Sequence, residues 1–283
     1  MSIEIIRPAE QTVPLVFASP HSGQHYPNEF IASSRLDPLS LRRSEDAFMD
    51  EVFGSAVEHG APLLRARFAR AYIDLNREAY ELDPAMFNDD LPDYVNTTSA
   101  RAAAGLGTIA RIVSYGEEIY SEKLTFSEAK KRIDTCYKPY HDALRGLVEA
   151  TRKKFGVCLL VGCHSMPSIC SSSRLGNGQN DMVLGDCYGT ACAPQVIENA
   201  DRILSDMGLK VTRNDPYAGG FTTRHYSAPE DGIHVLQVEV NRALYMDEDR
   251  IARGERLPHL VQQISQFIRQ LVELDPKLLL ANV

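Results

Sequence analysis

Short apolar runs that stop at turn residues alternate along this chain with longer stretches of helical period. Val13 to Ala18 is apolar almost throughout and ends at Ser19-Pro20-His21-Ser22-Gly23, which predicts a buried strand that leaves a histidine at its carboxyl edge. From Leu36 to Glu58 the pattern turns helical, with Leu41, Phe48, Val52 and Ala56 on one stripe and Gly60 as the stop. Pro62 to Leu75 reads as extended and closes on Tyr72-Ile73-Asp74-Leu75-Asn76-Arg77. Residues 83 to 116 are rich in Asp, Pro, Ala and Gly without a sustained period, which predicts a long irregular excursion of the kind that serves as a lid. Thr125 and Glu128 form a capping box for a helix with Ile133, Tyr137, Tyr140, Leu144 and Leu147 at helical spacing, kinked at Pro139 and ending near Phe155.

The second half repeats the alternation. Val157 to Gly162 is a continuous apolar strand followed at once by Cys163-His164-Ser165-Met166-Pro167, so the second histidine is expected to take the place of the first. A Ser/Gly/Asn loop from Ser171 to Asn180 leads to a strand near Asp181 to Leu184, a helix near Ala193 to Met207 and a strand near Leu209 to Arg213. Val235 to Val240 is a strand carrying Gln237 and Glu239, and the last long helix displays Leu260, Ile264, Phe267, Leu271 and Leu274. Strands and helices in this order predict an α/β fold of three layers, a largely parallel mixed sheet with helices on both faces. Ligands then belong at the carboxyl ends of the strands. One domain over residues 1–283 is expected, with the excursion as its elaboration.

Charge and composition narrow the function classes. The 283 residues carry a formal charge of -8, with lysine and arginine scattered, which argues against a nucleic-acid partner. No window approaches the run of about 20 apolar residues that spans a bilayer. Met1 to Pro8 lacks a basic region followed by an apolar one, so the expected location is the cytoplasm. Six cysteines are too sparse for a disulfide scaffold; Cys136, Cys158 and Cys163 lie in apolar stretches where a reduced thiol packs. The C-x4-C pair Cys187 and Cys192 has no second pair to complete a tetrahedral site. Nothing in the helices marks an oligomer interface.

Two histidines, His21 and His164, placed after strands are a natural imidazole pair for zinc, which in catalytic sites takes three protein ligands and keeps a position for water. Ser44-Glu45-Asp46 offers the carboxylate, with Asp46 preferred and Glu45 in reserve. Glu239 interrupts a buried alternation of Val235, Val238 and Val240, and a buried carboxylate needs a partner or a task. It is either a general acid/base beside a metal or one half of a buried ion pair with Arg242. Arg77, Arg224 and Arg242 are candidates for gripping a carboxylate, with Asn76 beside Arg77 at the end of a strand.

These residues lie in blocks that resemble the N-formylglutamate amidohydrolase family along nearly the whole chain. The blocks are Ser19-Pro20-His21-Ser22-Gly23 with Tyr26-Pro27, Arg42-Arg43 with Asp46 and Asp50, Tyr72 to Arg77, Cys163 to Pro167, Leu184-Gly185-Asp186, Asn214-Asp215-Pro216-Tyr217, and Leu236 to Arg242 with Leu244 to Glu248. The family hydrolyses N-formylglutamate to formate and glutamate in histidine degradation and is similar in fold to zinc carboxypeptidases and aspartoacylase. The resemblance implies His21 and His164 as zinc ligands, Glu239 as the catalytic glutamate, and Asn76 and Arg77 as the grip on a substrate carboxylate. Carboxypeptidase-like proteins place a glutamate ligand three residues after the first histidine. Gln24 stands there in this chain, and Asp46 takes over.

The expectation is therefore one divalent ion, zinc, per chain on His21, Asp46 and His164. Glu239 moves the proton, and Asn76, Arg77 and Arg224 hold a small N-acyl amino acid. Three alternatives compete: another N-acyl amino acid or small peptide on the same chemistry, a cysteine hydrolase using Cys163 or Cys187, and a binding module without turnover.

Overall fold

A computed structural model of the chain describes residues 2–113, 116–170 and 179–280. Its strands are β1 (Ile3–Ile6), β2 (Leu15–Ser19), β3 (Leu63–Ala66), β4 (Cys158–Met166), β5 (Met182–Gly185), β6 (Val211–Arg213) and β7 (Ile233–Asn241). They form one seven-stranded sheet in the order β1-β3-β2-β4-β7-β5-β6. β4 pairs parallel with both β2 and β7, and β5 pairs antiparallel with β7 and parallel with β6. The architecture is α/β, a mixed sheet with helices packed against it. β2 and β4 are buried at every residue and β7 at all but its first, the signature of parallel strands covered on both faces.

The helices are α1 (Asn28–Ser33), α2 (Pro38–Arg42), α3 (Met49–Val52), α4 (Ala100–Ala103), α5 (Phe126–Arg132), α6 (Lys138–Phe155), α7 (Pro194–Asp206), α8 (Phe221–Tyr226), α9 (Leu257–Val272) and α10 (Lys277–Leu280). The residues group into two compact units. One comprises residues 5–19, 48–64 and 143–283 and contains the central strands. There α9 turns Leu257, Leu260, Ile264, Phe267, Ile268 and Leu271 inward and packs on α3 and α7, so its helical period is satisfied by burial. Leu274 lies just past the end of α9.

The other unit comprises residues 1–4, 20–47 and 65–142. It has little regular structure and is held by an aromatic knot. Phe30 and Tyr72 meet edge to face at 5.3 Å, and the Arg132 guanidinium lies 4.4 Å from the Tyr72 ring centre while donating to the Tyr120 hydroxyl at 2.6 Å and the Tyr72 carbonyl at 3.1 Å. Residues 83–113 hold only short helical turns, Pro84–Met86 and α4, and pack firmly: Met86, Phe87, Val95, Ala102, Ile109 and Val113 are buried. The Thr125–Glu128 capping box is present, and α5 passes through a π-turn at Ile133–Tyr137 into α6. Pro139, which lacks an N–H and crowds the preceding turn, accounts for that widened turn just ahead of it.

Three expectations are corrected. The segment 36–58 is not one helix: it breaks after Arg42 and resumes at Met49, with Phe48 in the left-handed region at φ 66°. Tyr72 to Arg77 does not end a strand, because β3 stops at Ala66 and turns follow. His164 lies inside β4, while His21 lies past the end of β2, so the two do not occupy equivalent places. The predicted loop from Ser171 to Asn180 falls outside the described residues apart from its last two positions.

Candidate metal and active site

β2 ends at Ser19, and Pro20 turns the chain so that His21 and Ser22 come back under residue 46. The Asp46 N–H donates to the His21 carbonyl at 3.1 Å, and the Ser22 hydroxyl donates to the Asp46 carbonyl at 3.0 Å. Gly23 makes this possible, because a Cβ there would stand 2.2 Å from the Phe68 carbonyl oxygen. The break in the 36–58 segment serves the same end: leaving the helix after Arg42 releases residues 43–48 to bring a carboxylate to His21.

The neighbouring carboxylates have different partners. Glu45 is wholly buried and bound by Arg42, at 3.1 Å from Nε to Oε1 and 3.1 Å from Nη2 to Oε2, and by the Tyr26 hydroxyl at 2.6 Å. Asp46 faces the imidazole instead, with Oδ2 3.1 Å from His21 Nδ1. His21 and Asp46 are buried in the smaller unit, and His164 is buried in β4 of the other. Burying an acid against an imidazole is costly unless they share a ligand or protons. Two imidazole nitrogens and a carboxylate oxygen are the donor set that suits a borderline divalent cation. Such a set could hold a metal ion.

One residue of this site is not singled out by the sequence. Asp74 is buried, with Oδ1 2.8 Å from His21 Nε2, the ring nitrogen remote from Asp46. Its own backbone N–H donates to the Thr108 carbonyl at 2.8 Å, and the Asn76 N–H donates to Oδ1 at 2.9 Å. Burial pushes the Asp74 carboxyl up, but Arg77, Arg70 and His21 outweigh it and hold the group well below the usual carboxylate range. Asp74 is thus an ionised acceptor that fixes the His21 ring and leaves Nδ1 toward Asp46. The available signal was an aspartate with arginines at -4 and +3, Arg70 and Arg77.

In the strands, the parallel register sets His164 opposite Glu239 and Gly162 opposite Gln237. Alternation then puts Gln237 and Glu239 on one face of β7. Glu239 is buried, and the Gln237 amide donates to its Oε1 at 2.8 Å. Arg242, at the end of β7, is buried and donates from Nε to the Ser165 hydroxyl at 3.1 Å.

The predicted carboxylate-binding residues are placed differently from one another. Asn76 and Arg77 are buried, and the Arg77 guanidinium donates to the Leu106 carbonyl at 2.8 Å and the Asn76 carbonyl at 2.9 Å, with Nη2 3.5 Å from Asp74. These contacts fix its plane and use only part of its donor set. Arg224 is exposed on α8, with Nη1 donating to the Gly219 carbonyl at 3.2 Å. Cys163 is fully buried in β4, where burial drives its thiol far above the usual range; burial also raises Cys187, against the opposing pull of Arg224. Neither environment favours the thiolate that a cysteine nucleophile needs.

No helix of the described residues is long and apolar enough to cross a membrane. Comparison with known proteins places this geometry in context. The crystal structure of N-formylglutamate amidohydrolase from Ralstonia eutropha JMP134 superposes with a TM-score of 0.91 at 33% identity, over 96% of this chain and 97% of that one. The N-formylglutamate deformylase of Pseudomonas putida is 28% identical over 83% of both chains, and that of Pseudomonas aeruginosa 26% identical over 92% of both. A gene product of Agrobacterium tumefaciens, 17% identical with a TM-score of 0.67, shares the fold. The family model described as N-formylglutamate amidohydrolase matches residues 13–246, so the chain belongs to that family.

Proposed function

We propose that this chain is a zinc-dependent deformylase that hydrolyses N-formyl-L-glutamate to formate and L-glutamate in the cytoplasm. The observation that carries the reading is the buried pair of His21 and Asp46, 3.1 Å apart, in a chain whose residues 13–246 match the family model. His21, Asp46 and His164 would hold the ion, which when bound polarises the formyl carbonyl and makes water more acidic.

The remaining steps fall to the protein. Asp74 holds the His21 ring, so that a ligand nitrogen points one way only. Glu239 takes a proton from the attacking water on its carboxylate and returns it to the departing amine nitrogen, which leaves as L-glutamate. Asn76 and the immobilised Arg77 are assigned to the substrate carboxylates, with Arg224 at the exposed end. A guanidinium whose plane is already fixed loses little freedom on binding an anion.

The test is a comparison of substrates. N-formyl-L-glutamate, N-acetyl-L-glutamate and N-acetyl-L-aspartate are offered to zinc-loaded protein, and amine release is followed. Turnover confined to the formyl compound supports the reading, and preference for an acetyl compound replaces it with a different deacylase on the same residues.

A further inference from the structure

The amide of Gln237 is held from both sides. Its Oε1 accepts from the Gly220 N–H at 2.9 Å and from the Thr223 hydroxyl at 3.3 Å, and its Nε2 donates to Glu239 Oε1 at 2.8 Å. A backbone N–H can only donate, so the atom facing Gly220 must be the amide oxygen, and the NH2 is obliged to face Glu239. The amide cannot flip without breaking the set. Gln237 and Glu239 are both buried, so no solvent competes for these bonds.

The sheet is cut to admit this arrangement. Gln237 is paired across the sheet with Gly162 of β4 and Gly185 of β5. A Cβ on Gly185 would stand 2.8 Å from the Ala218 carbonyl carbon and 2.9 Å from the Gly219 nitrogen. A side chain at 185 would therefore lift the 218–220 backbone off the sheet and carry the Gly220 N–H away from Gln237. The same loop is anchored at Cys187, whose N–H donates to the Ala218 carbonyl at 2.7 Å.

We infer that Gln237 is a positioning residue for the base: it fixes the Glu239 carboxylate through Oε1 and ties it to the 218–220 loop. A donor on a carboxylate favours the ionised form, which is the form that must receive the proton. The role rests on the functional reading above, in which Glu239 is the base.

The experiment compares wild type, Q237M, Q237E, E239Q and the Q237M/E239Q double variant, with kcat and KM for N-formyl-L-glutamate, bound zinc and melting temperature measured on each. Q237E keeps the acceptor for Gly220 and Thr223 and replaces the amide donor with a carboxylate that repels Glu239 or shares its proton, so it disturbs the base even where Q237M fails to fold. The expected result is a fall in kcat of about 10- to 100-fold in either Gln237 single variant, the usual cost of losing a hydrogen bond that orients a site group, with KM and zinc unchanged. In the E239Q background the Q237M change should cost nothing further. Wild-type kcat in Q237E, or losses that add in the double variant, overturns the inference. A wild-type protein that releases no formate contradicts the functional reading instead. The positioning role is then decided by a crystal structure of Q237E, where a displaced Glu239 carboxylate supports it and an unmoved one overturns it.

Discussion

His164 and Glu239 are directly opposed partners in the parallel pair of β4 and β7, so an imidazole and a carboxylate are presented on the same side of two fully covered strands. A strand interior is the least adjustable part of a fold, so both side chains spring from rigid backbone. The functional reading separates these two residues by task, the histidine for the ion and the glutamate for the proton.

Replacing Glu239 by glutamine keeps the shape and removes the proton acceptor. Zinc content and melting temperature should stay at wild-type values while kcat for N-formyl-L-glutamate falls by about 10²- to 10⁴-fold, the range of general acid/base contributions. Metal analysis beside steady-state kinetics checks this, and unchanged turnover removes Glu239 from the mechanism.

Glu45 and Asp46 should part company. Asp46→Asn is expected to lose metal with the fold intact. Glu45→Gln is expected to keep metal but to lose about 1–3 kcal/mol of stability, because it weakens a buried acceptor shared by Arg42 and Tyr26. Denaturant melts and metal titrations on the two variants decide between the assignments.

The two carboxylates also show what was legible in the sequence. β2, β4, β7 and α9 were readable because burial on both faces of a strand, or on one stripe of a helix, writes a simple period. The 36–58 segment misled because its apolar spacing, Leu41 to Phe48 to Val52, continues across a break in the helix where Phe48 takes a left-handed turn. Asp74 was passed over for a different reason: apart from its flanking arginines, its partners His21 and Thr108 are brought to it by turns with no periodic signature. Gln237 looked like a polar residue in a strand until its amide proved to be held from both sides.

Asp74→Asn should loosen the metal site without removing a ligand. With the acceptor for His21 Nε2 weakened, zinc affinity is expected to fall by about 10- to 100-fold. Competition with a chromophoric chelator measures this directly; wild-type affinity would show that the His21 ring needs no such support.

His234 supplies a pH dependence of stability. It accepts from the Ala193 N–H at 3.1 Å through Nδ1 and donates from Nε2 to the Leu279 carbonyl at 2.7 Å, tying the start of α7 to the residues after α9. Burial lowers its pKa below the usual 6.5, only partly opposed by the bond to Leu279. The unfolded chain therefore binds more protons, and the contribution is fully present above pH about 6.5 and lost as pH falls through the folded value. Melting temperature should drop on acidification below that point, and less steeply in His234→Leu than in wild type.

The most direct measurement is formate release from N-formyl-L-glutamate by the purified protein before chelation, after chelation, and after zinc is returned. The account predicts release that is lost on chelation and restored by zinc. Full turnover by metal-free protein, or none by zinc-loaded protein, would contradict it.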